Sequence, residues 1–431
     1  MNLGARIQAA VELLDRIETP PRGDEALPAD AVLNAYFRGR RYIGAKDRRA
    51  IGDAVFQTLR QRGMIDWHLV HQAGLAATNR FRALWTFAVH GGVATEELAA
   101  CCDGARHHPA TLSDDEARRV LMIDANQEVA PDVADQASYP AWLAPEIERQ
   151  FGADAWAQLI AFTQPAPVDL RANPLKATRD EALAALAKAG IAAGPTPLSP
   201  LGVRLEGRAN VAGLAAYREG LVEVQDESSQ LASLLVGAKP GMRVLDLCAG
   251  GGGKTLALAA LMQNKGQIFA HDIDGRRLAP LKERLDRAGV RNVQIRAPMR
   301  TKDALADLRE RMDVVFVDAP CTGSGTWRRS PDSKWRLRPN ALAKRLEEQQ
   351  QALALAAPLV KPGGRLVYVT CSVLPEENED AVAAFLGAYS EFAPVGLELA
   401  GLPAYQRQIG VQMTPLKTGC DGFYVAVLQR S

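Results

Sequence analysis

Apolar residues recur at helical spacing from the start of the chain. Ile7, Ala10, Val11, Leu13 and Leu14 share one face, and Ile51, Val55, Leu59 and Ile65 share another. Between them Ala31-Val-Leu-Asn-Ala-Tyr-Phe is a further amphipathic stretch, and no strand-like alternation interrupts the series. Residues 1–130 therefore read as an all-α bundle. Residues 130–142 combine prolines with polar residues and no period, which predicts a linker. A helix is then expected over 146–162, a short alternating strand at 168–174, a helix over 180–189 and a second alternation at 203–206. Strands mixed with helices predict a small α+β domain over 139–220.

From residue 221 to 431 the pattern changes again. Near-continuous apolar strands are expected at 243–248, 267–271, 293–295, 313–318 and 365–370, separated by helices over 255–262, 276–288 and 342–359. This alternation predicts an α/β domain with a doubly wound, mostly parallel sheet. In such sheets ligands sit beyond the carboxyl ends of the strands.

Composition narrows the class without naming a function. Of 431 residues, 47% are hydrophobic and 23% charged, values typical of a globular protein that buries a core without disulfides or structural metal. No apolar run is long enough for a membrane span, and the first residues lack a signal-peptide stretch. The six cysteines form no C-x-x-C pair, which excludes a zinc ribbon and points to reduced thiols in the cytoplasm. His107-His108 lies near Cys101-Cys102, but adjacent residues converge poorly on one ion, so no metal is expected. With a net charge of +1, any nucleic-acid contact must come from local patches.

The first predicted strand of the large sheet runs through Cys248 into Ala249, Gly250, Gly251, Gly252, Gly253 and Lys254, which open a helix. Glycines let backbone approach a ligand, and a helix N-terminus offers unpaired N–H groups. A phosphate loop would need glycine at position 248, where cysteine stands, and in a dinucleotide fold the lysine occupies a place that favours a small residue. Asp272, at the end of the next strand, lies where a carboxylate can bind ribose hydroxyls. Two further strands end in Asp318-Ala-Pro-Cys321 and Thr370-Cys371, which puts two thiols at the same edge of the sheet. A lone buried cysteine is usually a small core residue, but two at equivalent positions suggest a nucleophile. Cys248 is expected to pack against the ligand, and Cys101, Cys102 and Cys420 to be structural. Between the two thiols, Arg328, Arg329, Lys334 and Trp335 fall in a stretch that interleaves basic and indole side chains. That combination suits single-stranded nucleic acid, and equally a solvated basic loop. Arg38-Gly-Arg-Arg-Tyr and Lys46-Asp-Arg-Arg form a second basic cluster.

Taken in order, Asp-Leu-Cys-Ala-Gly-Gly-Gly-Gly-Lys-Thr, Asp-Ala-Pro-Cys-Thr-Gly, Arg-Arg-Ser-Pro-Asp and Tyr-Val-Thr-Cys-Ser resemble RNA cytosine-5 methyltransferases. Within these they are most similar to the bacterial RsmB/Sun/Fmu type that acts on 16S ribosomal RNA. The helical N-terminus resembles the NusB-like RNA-binding domain of that family. Val224-Gln-Asp-Glu-Ser-Ser-Gln resembles the start of its catalytic domain, and the α+β region is taken as RRM-like. The resemblance implies a Rossmann-like methyltransferase sheet and S-adenosyl-L-methionine held by 248–254, with Asp272 on its ribose and Asp318 at the cofactor or base edge. It implies Cys371 as the nucleophile and Cys321 as the thiol that helps release product, with Lys254 aiding the charged site. The implied partner is RNA, ribosomal above all, and the protein is expected to be a monomer.

Two positions depart from the family. Gly251 replaces a proline, which loosens the loop entropically. At Ala297-Pro298 the family places an aspartate for the adenine amine; Asp303 lies further along, and weaker cofactor binding is expected. The alternatives are the same chemistry on tRNA, a non-catalytic RNA-binding assembly factor and, against the missing glycine, a nucleotide hydrolase.

Overall fold

The computed structural model describes residues 1–18, 27–123, 138–207, 209–299, 303–397 and 401–431. Two compact units emerge: Met1–Pro165 with Trp327–Leu337, and Ala166–Thr326 with Arg338–Ser431. Most of the expected linker, and the boundary at residue 130, lie outside the described residues. Helices Ala144–Phe151 and Ala155–Thr163 belong to the first unit and the strands that follow to the second. The region 139–220 is thus divided between the units at Pro165.

The second unit holds two sheets. In the smaller, β1 (Val168–Ala172), β2 (Ala193–Pro195), β3 (Gly202–Leu205) and β4 (Val222–Val224) pair antiparallel in the order β2-β3-β1-β4. Leu170, Ala172, Val203 and Val222 bury their side chains with Ala182 and Leu186 of the helix Arg179–Lys188. That helix starts with a capping box in which Thr178 and Glu181 each satisfy the other's backbone N–H.

The larger sheet comprises β5 (Arg243–Asp246), β6 (Gln267–His271), β7 (Val293–Arg296), β8 (Met312–Asp318), β9 (Val360–Thr370), β10 (Phe392–Pro394), β11 (Tyr405–Gln406), β12 (Val411–Met413) and β13 (Phe423–Arg430). Its order is β11-β12-β13-β9-β8-β5-β6-β7, with β10 beside β13. Strands β5 to β9 pair parallel, whereas β10, β12 and β13 close the sheet antiparallel. Val314, Val315, Phe316 and Val317 are all buried, as a strand covered on both faces requires. The winding direction reverses at β5, between β6 and β8, and so opens a crevice at the carboxyl ends of β5 and β8. The helix expected over 276–288 is instead a short turn, Gly275–Leu278, and a helix, Leu281–Ala288, parted at Pro280.

The first unit is helical, as expected. Ile7, Leu13, Leu14, Ile51, Val55, Leu59 and Ile65 are all buried in one core. Arg82 braces it through two bonds to Asp66 (2.6 and 2.9 Å) and one to Glu18 (3.2 Å). The short helix Pro331–Arg336 caps two others. Asp332 accepts from Ala29 N (3.1 Å) at the start of Ala29–Arg38. Lys334 Nζ donates to the Arg60 carbonyl (3.1 Å) and Trp335 Nε1 to that of Leu59 (2.6 Å), at the end of Ala45–Arg60. Carbonyls in the last turn of a helix lack donors of their own, and a cation there also complements the helix dipole, an effect of about 0.3–1 kcal/mol. Arg60 Nε in turn bonds the Arg328 carbonyl at 2.9 Å.

Lys334 is only 1% exposed, so its ammonium carries a desolvation cost. Burial, with the neighbouring Arg60 charge, pushes its pKa down to about 7, against ~10.4 in an unfolded chain. Between those values the unfolded chain binds more protons, so this group makes stability rise with pH across the window and fall towards pH 7. Lys334→Met is expected to raise the melting temperature relative to wild type at pH 6, by a margin that shrinks at pH 9. Thermal unfolding of both proteins across that range checks this; a pH-independent difference contradicts it.

Candidate active site

The loop between β5 and the helix Gly253–Leu261 turns through two glycines with positive φ, Gly250 (50°) and Gly252 (84°). A Cβ on Gly252 would lie 2.1 Å from Leu281 Cδ1, which would have to move aside, but it is the positive φ that calls for glycine there. Gly251 lies outside the left-handed region. The glycine that stands in place of the family's proline thus answers no backbone requirement. Asp272, 1% exposed, clasps the loop: its carboxylate accepts from Gly250 N (3.0 Å) and pairs with Arg277 (3.0 Å). Arg284 Nη1 holds the Gly251 carbonyl at 2.5 Å and its other nitrogen meets Glu223 of β4 at 3.1 Å. Arg171 of β1 donates to the Gly253 carbonyl at 3.1 Å, and burial lowers its pKa to about 10. The small sheet therefore helps to shape the loop, a role that Arg171, Glu223 and Arg284 could not disclose in sequence because their partners lie far along the chain.

Asp246, at the end of β5, is fully buried. Its Oδ2 accepts from Thr255 Oγ1 (2.6 Å), while Oδ1 has no protein partner. Burial, with Asp318 nearby, pushes its pKa up to about 7 despite the Thr255 bond. Lys254 points from the first turn of the helix to Asp318 Oδ2 at 2.7 Å. Burial opposes its charge, but Asp318, by attraction and hydrogen bond, and Cys371 together hold its pKa above the usual lysine value.

The two thiols meet. Strands β8 and β9 are parallel neighbours with Asp318 opposite Val369, so both leave the sheet at one edge. Cys321 Sγ and Cys371 Sγ lie 3.3 Å apart, within S–H···S contact and far beyond the ~2.05 Å of a disulfide. The hydrogen bond to Cys371, burial, and the charges of Cys371 and Glu377 together push the Cys321 thiol well up. Both cysteines are half-buried as residues. The geometry supplies two thiols in contact, at the carboxyl edge of the sheet that also carries a lysine–aspartate pair.

Other expectations fare differently. Cys248 lies in the loop, packed against the sheet core, and burial raises its thiol pKa, which makes it a poor nucleophile. Cys102 and Cys420 are buried and Cys101 half-buried. His108 pairs with Asp103 at 2.8 Å, and among the described residues no cluster of metal-binding side chains occurs. No described helix is long and apolar enough to cross a membrane. Residues 297–299 bring no carboxylate to the end of β7, and Asp303 is engaged with Leu305 N (2.9 Å) and Arg309 (3.8 Å). The basic stretch requires a correction. Arg328 and Lys334 are buried in the helical unit, and the Trp335 indole is bonded to Leu59. These three side chains pack and cap helices rather than form a solvated face for RNA; Arg329 is half-exposed. Basic and indole residues compose either kind of segment, and only burial separates the two.

Comparison with known proteins agrees with this arrangement. The family model described as 16S rRNA methyltransferase RsmB/F matches residues 233–429. One described as Methyltr_RsmF/B-like, ferredoxin-like domain, matches residues 139–212. Ribosomal RNA small subunit methyltransferase B of Sodalis glossinidius is 36% identical over 324 residues, 74% of this chain and 69% of that one. The probable ribosomal RNA small subunit methyltransferase B of Synechocystis sp. is 34% identical over 304 residues, 69% and 68% of the two chains. The crystal structure of PH0851 shares the fold with a TM-score of 0.75 and 27% identity, over 100% of this chain and 99% of that one. Identity of this depth along most of both chains, on a sheet that brings the two cysteines together, identifies the protein as a member of the 16S rRNA methyltransferase RsmB/F family.

Proposed function

We propose that the protein transfers a methyl group from S-adenosylmethionine to C5 of a cytosine in 16S ribosomal RNA, through a covalent bond between Cys371 and C6. The observation that carries this reading is the thiol pair at 3.3 Å, on the edge of the sheet that also bears Lys254 and Asp318. The residues present suit the cofactor: a turn whose positive φ angles call for glycine leads into a helix N-terminus, and Asp246 at the end of β5 keeps an oxygen without a protein partner. Residues 248–254 would hold it, with Asp272 keeping the loop in shape and offering remaining lone pairs to the ribose. When bound, S-adenosylmethionine supplies an electrophilic methyl group.

The chain's own residues account for the rest. Cytosine C5 is a weak nucleophile until a thiolate adds at C6. Lys254 brings a cation to this edge of the sheet, and the Cys321 S–H donates a hydrogen bond to the sulfur of Cys371. As the S–C6 bond forms, N3 takes up a proton and the electrons of the C5–C6 bond become available at C5. Asp318, with one oxygen outside its bond to Lys254, accepts from the base edge and favours that protonation. Once C5 carries the methyl group, its proton leaves to a base and the C6–S electrons return to Cys371. Cys321, whose proton is held tightly, assists by hydrogen bonding to the departing sulfur. The target base must stand free of its stack for the sulfur to reach C6.

The helical unit offers a second contact for RNA. Arg38, Arg48 and Arg49 line a cavity of about 720 Å3 with Asn34 and Asp30, which unites the two basic clusters near the start of the chain. Guanidinium groups around an open cavity suit phosphodiester oxygens.

Cys371→Ala is expected to abolish methyl transfer, with the loss of 5-methylcytosine at a 16S site when total RNA is mapped by bisulfite sequencing. Cys321→Ala is expected to build up a covalent protein–RNA adduct visible on a denaturing gel. Transfer that persists without Cys371 overturns the adduct, and 5-methylcytosine confined to tRNA moves the substrate. The double variant Arg38→Ala, Arg49→Ala is expected to weaken binding to 16S fragments and to lower the slope of log affinity against log salt by about 1–2. An unchanged slope removes this cavity from the RNA interface.

A further inference from the structure

Glu377 belongs to none of the sequence motifs that suggest the reaction, yet its carboxylate joins the two thiol loops. It lies in the turn Pro375–Glu377 beyond β9 and is fully buried. Oε1 accepts from Thr322 N (2.7 Å) and Gln349 Nε2 (3.1 Å). Oε2 accepts from Thr322 Oγ1 (2.6 Å) and from Ser372 Oγ. Thr322 follows Cys321 and Ser372 follows Cys371, so a single carboxylate grips the residue after each sulfur. Gln349, on the helix Pro339–Ala356, also donates to the carbonyl of Pro320, the residue before Cys321, at 3.0 Å. Ser324 Oγ meets Ser372 Oγ at 2.9 Å, and Gly325 N donates to the Cys371 carbonyl at 3.0 Å, which closes the ring.

All four donors to this side chain are neutral. Burial raises the carboxyl pKa, and the hydrogen bonds work against that rise. A buried carboxylate held only by neutral donors is a costly way to tie two loops together. A glutamine would remove the charge and turn its N–H2 towards the Thr322 and Ser372 hydroxyls, which would then have to rotate and accept where they now donate. The negative charge also bears on Cys321, Glu377 being among the groups that keep the proton on that thiol.

We propose that Glu377 is the positioning residue of the thiol pair, holding the loop after Cys321 and the loop after Cys371 at one separation. The proposal rests on the assignment of Cys371 as nucleophile. It gives the division of labour a physical source: the carboxylate that fixes the geometry also prevents Cys321 from competing for the base.

Peptide-resolved alkylation of the full-length reduced protein with limiting iodoacetamide, without RNA or cofactor, tests this directly. In wild type Cys371 is expected to label well ahead of Cys321. In Glu377→Gln the preference should fall by about threefold or more, with Glu377→Asp between the two. In turnover assays Glu377→Gln should lower kcat about tenfold while KM for RNA changes less than about twofold. A Glu377→Gln protein that melts like wild type and keeps the wild-type labelling ratio overturns the proposal. If that variant does not fold, Thr322→Val, which removes one of the four donors, must shift the ratio in the same direction or the proposal fails. The outcomes separate the two levels of inference. A shifted ratio in a protein that makes no 5-methylcytosine leaves Glu377 in its role and defeats the cytosine reading. An unshifted ratio in an active enzyme does the reverse.

Discussion

The parallel pairing of β8 with β9 is the constraint on which the site depends. Because Asp318 stands opposite Val369, the two chains leave the sheet side by side. The three residues to Cys321 and the two to Cys371 then span the same gap. A slip of one residue would turn alternate side chains to the other face and separate the sulfurs. Full burial of Val315, Phe316, Val317, Val367 and Val369 opposes such a slip, since it would disrupt packing on both faces of the sheet.

Around that edge the protein treats its carboxylates differently. Asp318 is paired with Lys254 and partly exposed. Asp272 is buried against a backbone N–H and Arg277. Glu377 is buried among neutral donors, and Asp246 keeps an oxygen without a protein partner. A paired carboxylate supplies charge where chemistry needs it, and a fully hydrogen-bonded one supplies rigidity. One left short of partners keeps an unmet acceptor, whose burial is costly.

Much of this was legible beforehand, for reasons particular to each element. Strand β6 is legible in sequence because Ile268-Phe269-Ala270 forms an apolar run between the polar Gln267 and His271, and helices of the first unit because their apolar residues repeat over several turns. The C-terminal β13 was missed although it is a long buried strand, and β2 and β4 were missed because three residues carry no period. The apolar period over 276–288 suggests one helix, but the missing N–H and the ring of Pro280 break it. The basic stretch misled because charge and aromaticity, unlike burial, are visible in composition. The carbonyls of Arg60 and Leu59 turn Lys334 and Trp335 inwards, and those partners lie 274 and 276 residues away in the chain.

By itself the sequence determined the order and class of the elements, the glycine turn before a helix, and the presence of two cysteines at strand ends. Each of these follows from residues that are neighbours in the chain, whose spacing states their geometry. Only the tertiary structure decided that the sulfurs touch and that Arg171 and Arg284 brace the glycine loop. It alone decided that Glu377 ties the thiol loops and that Lys334 faces inwards. Those outcomes depend on which distant donors and acceptors remain unsatisfied when strands and helices pack, and that reckoning exists only once the chain has folded.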